Sequence, residues 1–232
     1  VRRTHMPSYL ILRLDGPMQA WGTHTFEDYR PSNPFPTRSG LLGLLGACLG
    51  LDRSDTQSLD ALAESVAFTV RLDTGAPRPG VDRLMPKRHT KLSDYHTVLD
   101  ARKVDGSTNK FPIQSHREYL FDAAFTVAIG SRPDASFSLA RIAESLRRPR
   151  FTPVLGRRSC PLGRPLLERP DCIEADDAKA ALAQFPPHSG LIYSEDELVS
   201  DQPTWIRDVP RYGRHRQFAT RRIHLHRGEE SS

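Results

Sequence analysis

The segment FPTRSGLLGLLGACLG, Phe35 to Gly50, sets the tightest limit on what this chain can fold into. Gly40, Gly43, Gly46 and Gly50 recur at helical spacing among leucines. Each interior glycine costs a helix about 1 kcal/mol relative to alanine. A flat glycine face lets another backbone approach closely, so the pattern predicts a helix laid tightly on a sheet. Its start is Thr37-Arg38-Ser39. A helix N-terminus carries unpaired N–H groups and a partial positive charge. Two hydroxyls and a guanidinium would complete a phosphate site there. Capping alone explains Ser39 but not Arg38.

The elements around this helix alternate strand and helix. SYLILRLDG (Ser8 to Gly16) places Leu10, Leu12 and Leu14 on one face and reads as a half-buried strand. Helical spacing is expected over Ser58 to Glu64, and a second strand over Val66 to Asp73. Residues 74–117 hold no sustained core pattern, which marks a functional insertion. Weak strands near Tyr95 to Leu99 and Lys110 to Ile113 flank the turn signal Asp105-Gly106, so an extended hairpin is expected. A third strand follows over Arg117 to Gly130. An amphipathic helix follows over Ser136 to Arg148, capped by Ser136. A strand at Phe151 to Leu155 would complete a β-α-β-β-α-β ferredoxin-like, RRM-like sheet with helices on one face and the other face open. The fold class is therefore α+β. Residues 1–155 form the main domain, with an insertion at 78–117, and 156–232 form a small β-rich part. That part is expected to hold a short helix over Ala175 to Gln184 and strands over Gly190 to Ser194 and Gln217 to His226.

Charge is segregated. The net charge is +5. Residues 78–117 hold nine Lys/Arg against four Asp/Glu, 141–169 eight against two, and 207–227 seven against one. The rest of the chain is therefore acidic. Arginine-rich segments match phosphate geometry, so a nucleic-acid partner is expected. No apolar run reaches the ~20 residues of a membrane helix, and no secretory leader is read, so a cytoplasmic, membrane-free protein is expected. Cys48, Cys160 and Cys172 form no C-x-x-C pair and read as free thiols.

Candidate site residues come from three loops and the insertion. GPMQAWG puts Gln19 and Trp21 after the first strand, either as a core plug or, with Tyr29 and Arg30, as a base-reading surface. GRRSCPLG offers Arg157, Arg158 and Ser159 between glycines. Lys87, Arg88, His116 and Arg117 lie in or beside the insertion. No metal site is read. His224 and His226 share a strand face without a third ligand and read as surface residues. Tyr29, Lys110 and His116 together keep open metal-independent RNA cleavage, with a base at the 2′-hydroxyl and a lysine stabilising charge.

Four motifs in order, LRLDGPMQAWG, PTRSGLLGLLGACLG, HREYLFDAAFTVAI and LGRRSCPLGRPL, resemble the CasD family. This is the fifth-numbered Cas family of the RAMP superfamily, a subunit of type I-E CRISPR Cascade. The resemblance implies a ferredoxin-like RAMP domain with a β-hairpin thumb at about 78–117. It implies a non-catalytic subunit without cofactors that binds the 5′ handle of crRNA. The thumb would meet the Cascade backbone subunit, the large PAM-reading subunit would dock nearby, and target DNA would be met only through the complex. In a related subtype the equivalent subunit is the ribonuclease, which is the alternative function.

Overall fold

The computed structural model describes residues 6–23, 27–73, 90–103, 105–188, 190–196, 202–213 and 217–227. In chain order the elements begin with β1 (Ser8–Asp15), followed by the short strands β2 (Met18–Gln19), β3 (Trp21–Gly22), β4 (Tyr29–Arg30) and β5 (Ser32–Asn33). Then come α1 (Arg38–Leu49), α2 (Thr56–Ser65), β6 (Val66–Asp73), β7 (Thr90–Val98), β8 (Ile113–Phe121) and β9 (Ala124–Ser131). The remainder is α3 (Leu139–Arg147), β10 (Ile173–Glu174), α4 (Ala178–Ala183), β11 (Gly190–Ser194), β12 (Gln202–Arg211) and β13 (Gln217–Arg227).

An antiparallel seven-stranded sheet runs β10-β1-β9-β6-β11-β13-β12. Residues 1–155 and 156–232 both contribute strands to it. Alternation in β1 sends Leu10, Leu12 and Leu14 into the main core, where they meet Phe68, Val70, Phe125, Val127 and the leucines of α1. The helix α3 adds Ile142, Ala143 and Leu146. Its cap is Ser138, whose side chain accepts from Arg141 N, two residues beyond the expected Ser136.

The glycines of α1 do not share one job. A Cβ on Gly40 would lie 2.7 Å from the ring of Trp21, so only glycine fits against that indole. A Cβ on Gly43 would meet nothing within 4 Å. Tight packing therefore accounts for Gly40, not for the whole stripe.

The second face of the sheet is not open. Ile11, Ala128 and Ile192 pack with Ala181 and Leu182 of α4 and with Phe185 just beyond it. Beside them Arg13 and Arg71, which alternation alone would place in solvent, pair with Asp73 at 2.6 and 2.8 Å. Both arginines also donate to the α4 segment, Arg71 to Leu182 O at 2.7 Å and Arg13 to Pro186 O at 2.6 Å. Buried charges are retained where they are paired and hydrogen-bonded, and this cluster ties α4 down over the face expected to be bare.

Phe151 to Leu155 is not a strand. The place beside β1 belongs to Ile173–Glu174, through the register Ser8↔Glu174 and Tyr9↔Ile173. Residues 150 and 151 instead donate to Cys48 O and Ala47 O at the end of α1. The expected single strand from Arg117 to Gly130 is two. β8 leaves the main sheet, pairs with β2, β4 and β7, and turns at Asp122 (φ +55°) into β9. β7 and β8 pair from Thr90↔Phe121 to Val98↔Ile113, a longer hairpin than the weak strand signals gave. It exposes Leu92, Tyr95, Val98 and Ile113, and Leu99 and Phe111 beyond the strands are exposed as well.

Candidate nucleic-acid interface

The root of the β7–β8 hairpin gathers residues from four distant segments. β4 lies parallel to β8, with Tyr29↔His116 and Arg30↔Arg117 in register, and Tyr95 of β7 is opposite His116 from the other side. Tyr29, His116 and Tyr95 thus share one face. His116 is exposed, and its ring meets Tyr95 edge-on at 5.1 Å between centroids. Exposed aromatic rings beside cations are the ingredients of single-strand recognition.

Beneath this row Glu118 is a hub. Its carboxylate accepts the hydroxyl of Tyr29, the Lys91 ammonium at 2.8 Å and the Ser32 N–H at 2.9 Å. Burial alone would raise its carboxyl, but Lys91, Tyr29 and Ser32 outweigh that and hold it below the usual range. The same bond to Glu118 pushes the Tyr29 phenol above its ordinary value. Tyr29 is therefore a donor and poorly suited to act as a base. Lys110 lies beyond the start of β8, its ammonium 5.6 Å from the Phe111 ring centroid.

The Gly/Arg loop is fixed to the same root. Gly156 has φ +91°, and a Cβ there would stand 1.8 Å from Ala20 O, so only glycine lets the loop reach the β2–β3 segment. Arg157 lies over the Tyr119 ring at 4.9 Å and donates to Glu118 O at 3.0 Å and Arg30 O at 2.8 Å. It acts as a staple rather than a free cation. Arg158 and Ser159 are exposed, and Arg158 has no hydrogen bond or ion pair with a described residue. The Ser159 hydroxyl lies 3.5 Å from Tyr119 Oη, itself 3.3 Å from His96 Nε2. Arg117 is half-buried, its Nε 3.1 Å from Ser115 Oγ.

Other expected site residues are placed elsewhere. Trp21 is 0 % exposed, and its Nε1 donates to Gln19 Oε1 at 3.0 Å. Gln19, equally buried, donates to Leu14 O and Ala123 O. The pair is a core plug that satisfies its own polar atoms, not a base-reading surface. Thr37 is a buried N-cap whose Oγ1 accepts from Gly40 N at 3.2 Å, with Ser39 Oγ 3.4 Å away. Arg38 is 7 % exposed. Its guanidinium donates to Glu195 at 2.6 and 2.5 Å and to Ala63 O, while its backbone N–H is taken by Asp208 at 2.7 Å. Two distant carboxylates already fill the helix mouth, so a phosphate role for Arg38 is corrected to a structural one. His224, expected at the surface, is buried. Lys87 and Arg88 lie outside the described residues.

Sequence reasoning missed Lys91, Tyr95 and Glu118. The alternation of HREYLF carries Glu118 onto the face of His116, but only the register with β7 brings in Lys91 and Tyr95. Among the described residues no cluster of three or more His, Cys, Asp or Glu is placed to hold a metal ion, and no helix is long and apolar enough to cross a membrane.

Three comparisons match nearly the whole chain. A family described as CRISPR-associated protein (Cas_Cas5) covers residues 9–224. The curated protein "CRISPR system Cascade subunit CasD" of Escherichia coli (strain K12) is 48% identical over 228 residues, covering 96% of this chain and 97% of that protein. A solved chain described as "CRISPR RNA-guided surveillance complex" is 31% identical with TM-score 0.72, covering 95% of this chain and 90% of that one. Another, described as "Crystal structure of Cas protein", is 27% identical with TM-score 0.60, covering 94% of each.

Proposed function

Because the chain belongs to the CRISPR-associated Cas5 family, we propose that it is the RNA-binding subunit that holds the 5′ handle of crRNA in a Cascade surveillance complex, without cutting it. The carrying observation is the hairpin root, where Tyr95 and His116 stand exposed on one face of β7–β8 and the loop stapled by Arg157 presents exposed Arg158 and Ser159, the latter beside Tyr119 on the other face. Such a surface binds phosphates and stacks bases, while guide pairing reads the target.

The finer parts of the reading rest on the same fold. The sheet order β10-β1-β9-β6, with α1 to α3 on one face, supports a ferredoxin-like core. The boundary near 155 is then one of composition rather than of folding. The apolar residues exposed on the hairpin support its use as a thumb against the backbone subunit. The large subunit docks near the handle, target DNA is met through the complex, and the working compartment is the cytoplasm. The Tyr29 hydroxyl, engaged by the Glu118 carboxylate, supports a positioning use of Tyr29 over a base.

The test is binding of labelled handle RNA to the full chain, with products resolved at single-nucleotide length in EDTA. Arg158→Ala should weaken binding and lower the salt slope by about one unit, as for one lost phosphate contact. His116→Ala should weaken binding without altering any RNA length. A discrete cut by the wild type, lost in His116→Ala or Tyr29→Phe, would make the chain a metal-independent endoribonuclease instead.

A further inference from the structure

We propose that the outer face of the β12–β13 hairpin is a second contact surface for single-stranded nucleic acid, separate from the hairpin root and independent of the handle assignment. The chain has two tryptophans, Trp21 and Trp205. Trp21 is sealed in the core, whereas Trp205 is 71 % exposed on β12, the outer edge of the seven-stranded sheet. Trp205 is directly opposite Arg222 of β13, and Arg207, two residues on, is opposite Thr220. All four share one face and all are exposed. The alternate residues Ile206 and Ile223 point the other way, into the main core.

Nothing described in the chain uses this face. α4 lies on the same side of the sheet but packs on β9, β1 and β6, short of β12. Arg207 Nε donates to Phe218 O at 2.9 Å, which holds the guanidinium across the hairpin and leaves its terminal nitrogens without a described partner. Arg222 has no hydrogen bond or ion pair among the described residues. The one acidic residue of the two strands, Asp208, is buried against Arg221 and the start of α1.

Edge strands are commonly guarded with prolines and charges against stray pairing. That accounts for Pro203, Pro210 and the arginines, but not for a bare indole among them. A protein-docking core is depleted of charge and rich in contiguous apolar surface, whereas Trp205 has Arg222 across from it and Arg207 next along its face, with only Pro203 on the other side. An indole flanked by two outward guanidinium groups suits a stacked base with phosphates on either side.

Trp21, being buried, supplies a constant background, so tryptophan emission reports on Trp205. The full chain is first saturated with unlabelled handle RNA, then titrated with oligothymidylate or oligouridylate. Saturable quenching is expected, absent in Trp205→Phe and weakened about tenfold in Arg222→Glu, with a steep salt dependence. Unequal strength of the two oligomers would tell DNA from RNA contact. No quenching, or quenching indifferent to Arg222→Glu and Arg207→Glu, overturns the proposal. So does emission that changes only when other Cascade subunits are added without free oligonucleotide, which would make the face a protein contact. Anisotropy of labelled handle RNA, unchanged by Trp205→Phe, reads the hairpin root separately.

Discussion

The start of α1 and the loop at 156–159 look alike in sequence, and the fold treats them oppositely. Each puts arginine beside hydroxyl and glycine. At the helix start, Glu195 and Asp208 arrive from 157 and 170 residues away and consume both the guanidinium and the backbone N–H of Arg38. At the loop no carboxylate of a described residue arrives. Arg157 spends itself on carbonyl oxygens, and Arg158 is left facing out. An arginine's local motif states what it can bind, and the long-range pairing of carboxylates decides whether it is free to do so.

The largest effect should come from breaking the helix start. Arg38 and Arg221 share Glu195, and Arg221 also grips Asp208. Arg38→Ala takes the two-pronged partner from the buried Glu195, which keeps only single contacts to Arg132 and Arg221 at 3.1 Å, so the loss should be about 3 kcal/mol, the lower end for breaking a buried pair. Urea unfolding should show that loss, while handle RNA bound by the remaining folded protein keeps its salt slope. A lowered slope with unchanged stability would return Arg38 to the RNA site.

A smaller loss is expected at the loop. Gly156→Ala must displace the Ala20 carbonyl and holds alanine at φ +91°, a strained backbone costing about 1–3 kcal/mol. Its thermal midpoint should fall less than that of Arg38→Ala, but its RNA affinity should fall more, because Arg158 and Ser159 move with the loop. Equal affinity in both variants would erase the contrast between the two sites.

The smallest effect sharpens the chemistry at the root. Glu118 holds the Tyr29 phenol above its usual range and is itself held low. With its folded pKa depressed, Glu118 contributes stability above its unfolded pKa, and that contribution is lost as pH falls through the lower folded value. In Glu118→Gln the charge is gone, so Tyr29 should titrate closer to 10. Ultraviolet difference titration against Tyr29→Phe measures this, and an unmoved tyrosine would remove Glu118 as the cause.

Much of the core was legible because periodicity is local. β1, α1, β6, α3 and β13 each carry their own apolar spacing. The strand beside β1 was not, since Ile173–Glu174 is two residues long and has no period to read. Arg13 and Arg71 looked like solvent-facing residues because Asp73 and α4 cover them only in three dimensions. Of the residues in the proposed site, Arg158 and Ser159 stand out in the sequence as a glycine-bounded basic loop, whereas the neighbours of His116 on β8 come from its register with β7. Gln19 and Trp21 fit both roles in sequence, because a buried indole and an exposed one have the same letters around them.

The carboxylates at the start of α1 also bear on the order in which the protein can be completed during synthesis. The helix leaves the ribosome well before the carboxylates at its entrance, Glu195 and Asp208, which follow Arg38 by 157 and 170 residues. Until those emerge, Arg38 lacks the two carboxylates that it meets in the folded protein, and the entrance of α1 cannot take its native pairing. The helix start is thus closed by contacts of high sequence separation, whose loop-closure entropy must be met before they stabilise anything.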